Sequence, residues 1–287
     1  MAKRRLDTLL AERGLFPSRS RAAASVMAGE VRVGQGRRRA EKPGELVDVQ
    51  EPVSVEERRA FVSRGGIKLA NALAASGLEV AGRRALDVGA STGGFTDCLL
   101  QNGASEVVAV DVGYGTLAWS LRSDPRVRVL ERTNARALTP QLLRAPRSHD
   151  AAAATERAQD GEDGPTGPLP DLATVDVSFI SLAKVLGPVL GCLASGHDVL
   201  ALVKPQFEVG RGRVGKGGVV RDPQERRAAL VAVGGAALAL GAVVLGYHSS
   251  GLPGPKGNRE TFIWLTDRAG GASSISELEA LARKVEP

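Results

Sequence analysis

Four ionisable residues, far apart along a chain of 287, could act on one reacting group: Lys68, Asp176, Lys204 and Glu260. Asp176 lies at the end of the apolar run LATVDVS, Lys204 closes DVLALVK, Glu260 opens ETFIWL, and Lys68 follows the glycines of SRGGIKL. If these runs belong to one sheet and the helix before it, two amines and two carboxylates arrive at a single edge. Arginine outnumbers lysine thirty to eight, which gives each lysine weight, because a guanidinium keeps its proton and an ammonium can surrender one. A lysine with an ordinary pKa of about 10.4 serves as a base only where desolvation and a second ammonium lower that value. The carboxylates oppose this lowering, so their work is to orient the amines and the group being deprotonated. Lys204 is then the base and Lys68 its cationic neighbour.

A second constellation is LDVGASTGGFT, Leu86 to Thr96. A glycine-bearing turn between a strand and a helix lets backbone approach a ligand closely at the edge where Rossmann-like sheets bind nucleotides. Its candidate contacts are Asp87, Gly89, Ala90, Ser91, Thr92, Gly93, Gly94 and Phe95. The loop is not G-x-G-x-x-G, because three residues separate Gly89 from Gly93, and this weakens a dinucleotide reading. Some twenty residues on, VVAVDVG places Asp111 at the end of the next strand, where a carboxylate can accept both hydroxyls of a ribose. A literal G-x-G-x-x-G does occur in GRGRVGKGG, Gly210 to Gly218, but a loop follows it rather than a helix. Its Arg211, Arg213 and Lys216 suit either a basic loop near nucleic acid or a solvated turn. Cys98 and Cys192 sit alone in apolar stretches and the three histidines are scattered, so neither a disulfide framework nor a metal site is encoded. A reducing cytoplasm fits that pattern.

The elements needed to position these residues can be read from Arg84 onward. Strands are expected at ALDVGA, EVVAVDVG, RVRVLERT, LATVDVS, DVLALVK, AVVLGYHSS and ETFIWL. Helices are expected at about Gly93 to Asn102, Thr116 to Arg122, Thr139 to Arg144, Ile180 to Leu193 and Pro223 to Leu240. This alternation is that of a doubly wound α/β sheet. The last two strands are joined by GLPGPKGNR without a helix and should pair as an antiparallel hairpin. The uncharged run after Arg227 invites a membrane span, but its glycines, the Asp222 cap and the stop at Gly241 divide it into a helix and a strand. The start MAKRRLDTLL lacks the apolar core of a secretory signal. Residues 147–170, rich in Ala, Gly, Pro and acids, read as a disordered surface insertion, and SSISELEALARKV as a helix with a Ser274–Glu277 capping box.

The basic character is concentrated at one end. Met1 to Arg39 holds ten basic and three acidic residues, more than the net +6 of the whole chain. Such polarity reads as a polyanion-binding module. Leu6, Leu9 and Leu10 recur at helical spacing, Ser18 can cap a second helix, and Val31, Val33, Leu46, Val47 and Val49 suggest short strands. This pattern, carried by RLDTLLAERGLFPSRSRAAASVMAGEVRVGQ, resembles the S4-like RNA-binding domain. Free N–H groups at the start of the second helix, beside Arg19 and Arg21, suit a phosphate. The candidate RNA contacts are Arg4, Arg5, Ser18, Arg19, Ser20 and Arg21.

The catalytic set resembles the Lys-Asp-Lys-Glu tetrad of FtsJ-like ribose 2′-O-methyltransferases, and the terminal hairpin resembles that of the class I (Rossmann-like) methyltransferase sheet. SRGGIKL, LDVGASTGGFTDCLL, DVGYGTLAWSLRSDPRV, ERTNAR, DVSFISL, LVKPQFEVG, GGVVRDP and LPGPKGNRE are similar to segments of the TlyA rRNA methyltransferases, some of them named haemolysins. The resemblance implies a small N-terminal α+β S4-like domain at 1–60, a linker at about 56–62 and a methyltransferase domain at 63–287. It implies S-adenosylmethionine as cofactor, with Asn134 near the adenine, and no metal. It implies a cytidine ribose in 23S rRNA as target, with 16S rRNA added in members with a longer N-terminus like this one. The partner would be ribosomal RNA or a ribosomal subunit in the cytoplasm, with no membrane; the sequence assigns no oligomeric state. Two features depart from the pattern: the 147–170 insertion is extra, and Phe61 stands where the linker tetrapeptide has tryptophan. Two other readings are a membrane-acting haemolysin, which liposome leakage would reveal, and a non-catalytic ribosome assembly factor, which would give a silent titration with S-adenosylmethionine.

Overall fold

A computed structural model describes residues 2–55, 60–144 and 167–287. Most of the expected linker, 56–59, and of the insertion, 147–166, lies outside the described residues. The chain divides into two units, Met1–Ala60 and Phe61–Pro287.

The first unit contains β1 (Lys3–Arg5), α1 (Leu6–Glu12), α2 (Arg19–Met27), β2 (Val31–Val33), β3 (Arg38–Arg39), β4 (Leu46–Asp48) and β5 (Val53–Val55). Leu6, Leu9 and Leu10 of α1 bury against Ala22 and Val26 of α2 and against Val31, Val33 and Val47. Ser18 caps α2, its side chain accepting the Arg21 N–H. The two valine-rich strands do not pair with each other. β2 pairs with β3 and β5, whereas β4 pairs with β1. The Lys3–Arg5 strand has no apolar alternation to announce it and is formed by the ladder that β4 offers.

The second unit begins with α3 (Arg64–Ser76), β6 (Arg84–Val88), α4 (Gly94–Gln101), β7 (Glu106–Val110), α5 (Trp119–Arg122), β8 (Val127–Leu130), α6 (Pro140–Arg144) and β9 (Leu172–Val175). It continues with α7 (Leu186–Leu190), β10 (Asp198–Val203), α8 (Pro205–Glu208), α9 (Pro223–Ala239), β11 (Val243–Ser249), β12 (Thr261–Thr266) and α10 (Ile275–Val285). Its seven strands run in the order β11-β12-β10-β9-β6-β7-β8, with β12 antiparallel to both neighbours and the other adjacent pairs parallel. This is the doubly wound sheet with a terminal hairpin that the sequence rhythm predicts. β9 and β10 are buried along their whole length, as strands covered on both faces must be.

Asp222 caps α9 by accepting the Gln224 N–H, and Pro223 occupies its first turn. The Ser274–Glu277 capping box forms at the start of α10. One expected helix does not form. Ile180 to Leu193 becomes a 3₁₀ turn at Leu182–Lys184 followed by the short α7, because Pro188 has no N–H and its ring would strike the carbonyl four residues back in a continuous helix. The expected Thr116–Arg122 helix shortens to α5. Among the described residues no helix is long and apolar enough to cross a membrane.

Candidate active site

The strand order brings the four ionisable residues to one end of the sheet. β10 lies between β9, which delivers Asp176, and β12, which follows Glu260. The β10–β12 ladder ends with Val203 paired to Thr261, and Lys204 and Glu260 are the residues that adjoin this last pair on the two strands. On its other side Lys204 Nζ lies 2.5 Å from Asp176 Oδ1 and donates to the Ser178 hydroxyl at 2.9 Å. Lys68 Nζ lies 2.5 Å from Glu260 Oε2, both side chains being almost fully buried. Two ion pairs, Lys204 with Asp176 and Lys68 with Glu260, therefore stand at this end of the sheet. Lys68 comes from α3, Asp176 follows β9, Lys204 follows β10 and Glu260 precedes β12.

Two close backbone approaches make this convergence possible. Gly89, at φ +86°, sits where a Cβ would lie 2.4 Å from the Asp176 carbonyl oxygen, so the turn after β6 is pressed against the residue it must neighbour. Gly94 opens α4 where a Cβ would lie 2.2 Å from Ser63 Oγ and 2.8 Å from the Gly66 nitrogen. The start of α3 therefore rests directly on the start of α4, and Lys68 points from that turn. The glycines of SRGGIKL lie inside α3 rather than before it. Asn71, one turn beyond Lys68, donates to the Ser250 carbonyl at 2.9 Å, and the Ser250 N–H reaches the Glu260 carbonyl.

Beside the cluster lies a cavity of about 420 Å³, a size that suits a small organic ligand. Gly89, Ser91, Asp111 and Asn134 line it, and so do Thr133, Arg136, Asp176, Ser178 and Phe179. Asp111 accepts the Ser91 N–H at 2.8 Å on one carboxylate oxygen and the Gly113 N–H at 2.6 Å on the other. Each oxygen keeps a lone pair for a further donor, which is what recognition of vicinal hydroxyls needs. Asn134 turns its side-chain oxygen to the Arg136 N–H. Ser91 and Phe179 are held at φ +49° and +64°, left-handed conformations that residues with a Cβ adopt when surrounding structure imposes them. Phe179 is 92% exposed, with its ring centroid 5.3 Å from that of Phe207 in a tilted arrangement.

Several predicted contacts lie elsewhere. Asp87 is fully buried beneath the loop, where it accepts the hydroxyls of Thr96 at 2.6 Å and Thr174 at 3.1 Å. Burial, opposed by those two hydroxyls, pushes its carboxyl up to about 6. Phe95 packs in the core against Phe262. Ala90 and Gly93 are buried within the turn, and Thr92 is exposed outside the cavity wall. The loop meets the cavity with Gly89 and Ser91, because its other members are consumed in seating α4.

The sequence reading missed two positioning acids. Glu208 accepts the Ser181 hydroxyl and the Leu182 N–H at 2.7 and 2.9 Å, and burial raises its carboxyl. It ties the turn after Lys204 to the segment carrying Ser178 and Phe179. In the first unit, Asp7 is buried and receives both Arg5 and Arg19. The Arg5 hydrogen bond comes first, ahead of the Arg19 contact, in holding its carboxyl well below the usual range. Both guanidiniums stay about half exposed. Arg4 pairs with Glu12, while Ser20 and Arg21 face solvent. An aspartate beside the first leucine of the run LDTLLAE was the available signal for Asp7.

Comparison with known proteins identifies the family of each unit. Residues 61–267 match the family of FtsJ-like methyltransferases and residues 4–53 match the S4 domain. The chain is 49% identical over 283 residues, 96% of each chain, to the 16S/23S rRNA (cytidine-2′-O)-methyltransferase TlyA of Mycobacterium tuberculosis. It is 36% identical over 218 residues to Hemolysin A of Brachyspira hyodysenteriae, covering 76% of this chain and 81% of that one. A solved protein of Streptococcus thermophilus that carries a hemolysin name has 40% identity and a TM-score of 0.65, over 99% of this chain and 97% of the other.

Proposed function

Because the chain belongs to the TlyA branch of the FtsJ-like methyltransferases, we propose that it methylates the ribose 2′-hydroxyl of a cytidine in ribosomal RNA, in 23S and also in 16S. The observation that carries this reading is Lys204, whose Nζ lies 2.5 Å from Asp176 on the cavity wall, at the end of β10 beyond the last pair with β12, the strand that Glu260 precedes. S-adenosylmethionine, when bound, supplies an electrophilic methyl group on a sulfonium. The cavity's donor set fits it: Asp111 has acceptor capacity for ribose hydroxyls, and the backbone of Gly89 to Ser91 lies within reach.

The chain's own residues then have two tasks. A ribose hydroxyl is a poor acid, so it must be held in line and relieved of its proton. Asp176 and Glu260 fix the two amines and leave acceptor oxygens for the hydroxyl. Lys204 Nζ is the group that takes the proton, and Lys68 stabilises the oxygen on which negative charge develops. The basic first unit, with Arg4, Arg5, Arg19 and Arg21 around the capped start of α2, holds the RNA through its phosphates.

Incubating ribosomal RNA with the protein and a labelled methyl donor, then mapping ribose methylation by primer-extension stops and mass, tests the proposal. A modified cytidine ribose is expected, and it should vanish in Lys204→Ala. Unchanged methylation in that variant removes Lys204 from the mechanism. Removing residues 1–60 should abolish methylation of rRNA while leaving a folded second unit, and normal activity of the truncated chain would refute that division of labour.

A further inference from the structure

Two surface loops of the second unit contain bases and no acids. Residues 210–221 hold Arg211, Arg213, Lys216 and Arg221, and residues 251–259 hold Lys256 and Arg259. Loops so rich in glycine and like charge would ordinarily move apart, yet these are fastened together. Asn258, only 2% exposed, accepts the Val220 N–H at 2.9 Å on its side-chain oxygen and donates its amide to the Gly218 carbonyl at 2.7 Å. Arg64, at the start of α3, donates to the Pro253 carbonyl and holds the second loop from the other side. A Cβ built on Gly218 would stand 3.7 Å from Lys256 Nζ, so the ammonium of one loop lies over the backbone of the other. Lys216, Arg221 and Lys256 are exposed, and none has a carboxylate partner among the described residues, while Arg213 pairs with Glu225.

Burying an asparagine to hold like-charged loops in contact makes physical sense if a polyanion supplies the missing counter-charge. The second loop runs directly into Glu260, so whatever it grips is presented to the tetrad. We propose that the two loops form one phosphate-binding surface on the catalytic unit, with Lys216 and Lys256 contacting RNA backbone next to the reacting ribose. This rests on the RNA-methylating reading above and adds a contact site outside the first unit. No base is read there; the surface supplies position, as phosphate contacts do.

The test is the salt dependence of rRNA binding by the full-length protein, followed by fluorescence anisotropy with labelled fragments. Replacing Lys216 and Lys256 by alanine should lower the slope of log K against log salt by about 1.4 to 1.8, from about 0.7–0.9 per phosphate contact. The thermal midpoint and S-adenosylmethionine affinity should stay at wild-type values, because both ammoniums are exposed and neither lines the cavity. Replacing both lysines by arginine should restore the slope. Asn258→Ala keeps every charge and should still lower the slope, because the loops are no longer held as one surface. An unchanged slope in the double alanine variant, or a loss of affinity without a change of slope, overturns the proposal; an unchanged slope in Asn258→Ala overturns the claim that the loops act together. Binding is read without turnover, so a wild-type protein that binds with the expected slope and methylates nothing would sink the functional reading and leave this surface standing.

Discussion

Replacing Asp87 by asparagine should remove a pH dependence built into the centre of the sheet. The wild-type carboxyl is fully buried, and burial raises it from 3.8 to about 6 in the folded chain. The native state therefore binds this proton more tightly than the unfolded state. Its contribution favours folding below about pH 4 and is lost as the pH rises through 6. A rise of about two pKa units corresponds to about 3 kcal/mol at 1.36 kcal/mol per unit. Asparagine keeps the shape and can still meet Thr96 and Thr174, but it carries no charge. The variant's stability relative to wild type should therefore improve by about 2–3 kcal/mol between pH 4 and pH 7. Urea unfolding followed by the fluorescence of Trp119 and Trp264, both in the second unit, reads this directly. Other carboxylates titrate alike in both proteins and cancel in the comparison. A gap that changes by less than about 0.5 kcal/mol across that range would refute the buried, protonatable Asp87. S-adenosylmethionine binding should be nearly unchanged, since Asp87 does not reach the cavity; a large loss would return it to the set of cofactor contacts.

Lys204→Arg retains the positive charge beside Asp176 but cannot give up a proton, so methyl transfer should fall by about 10²-fold or more with cofactor affinity little changed; a kcat near wild type would eliminate proton removal by this residue. Asp111→Asn should weaken S-adenosylmethionine binding by about 1.5–3 kcal/mol, the worth of a hydrogen bond to a charged group, measured by calorimetry, and leave RNA affinity intact. Gly89→Ala places a methyl group at positive φ against the Asp176 carbonyl; a strain of about 1–3 kcal/mol should appear as a lower Tm together with a drop in kcat, and a variant with normal values of both would show that the close approach is dispensable.

The sequence by itself determined the elements and the candidate chemistry. Alternation of apolar runs with helical stretches gave a doubly wound sheet with a terminal hairpin, since period and turn residues are local properties. The capping residues Ser18, Asp222 and Ser274 were legible for the same reason, each depending only on its own first turn. The charge concentrated before residue 40 and the amines and acids at strand ends were equally visible. Short strands and interrupted helices were not: Lys3–Arg5 becomes a strand because β4 lies beside it, and Ile180–Leu193 breaks ahead of α7, in the turn before Pro188.

Tertiary structure alone decided which side chains meet. Lys68 and Glu260 are 192 positions apart, and their pairing depends on the glycine contact between α3 and α4 and on the strand order that sets β12 beside β10. The same packing buried Asp87 and Phe95 under the loop while leaving Gly89, Ser91 and Asp111 on the cavity wall. Residue type announces that a carboxylate can accept a hydroxyl. Whether it faces a ligand or a threonine depends on the direction its strand gives it and on what the neighbouring strand places in the way.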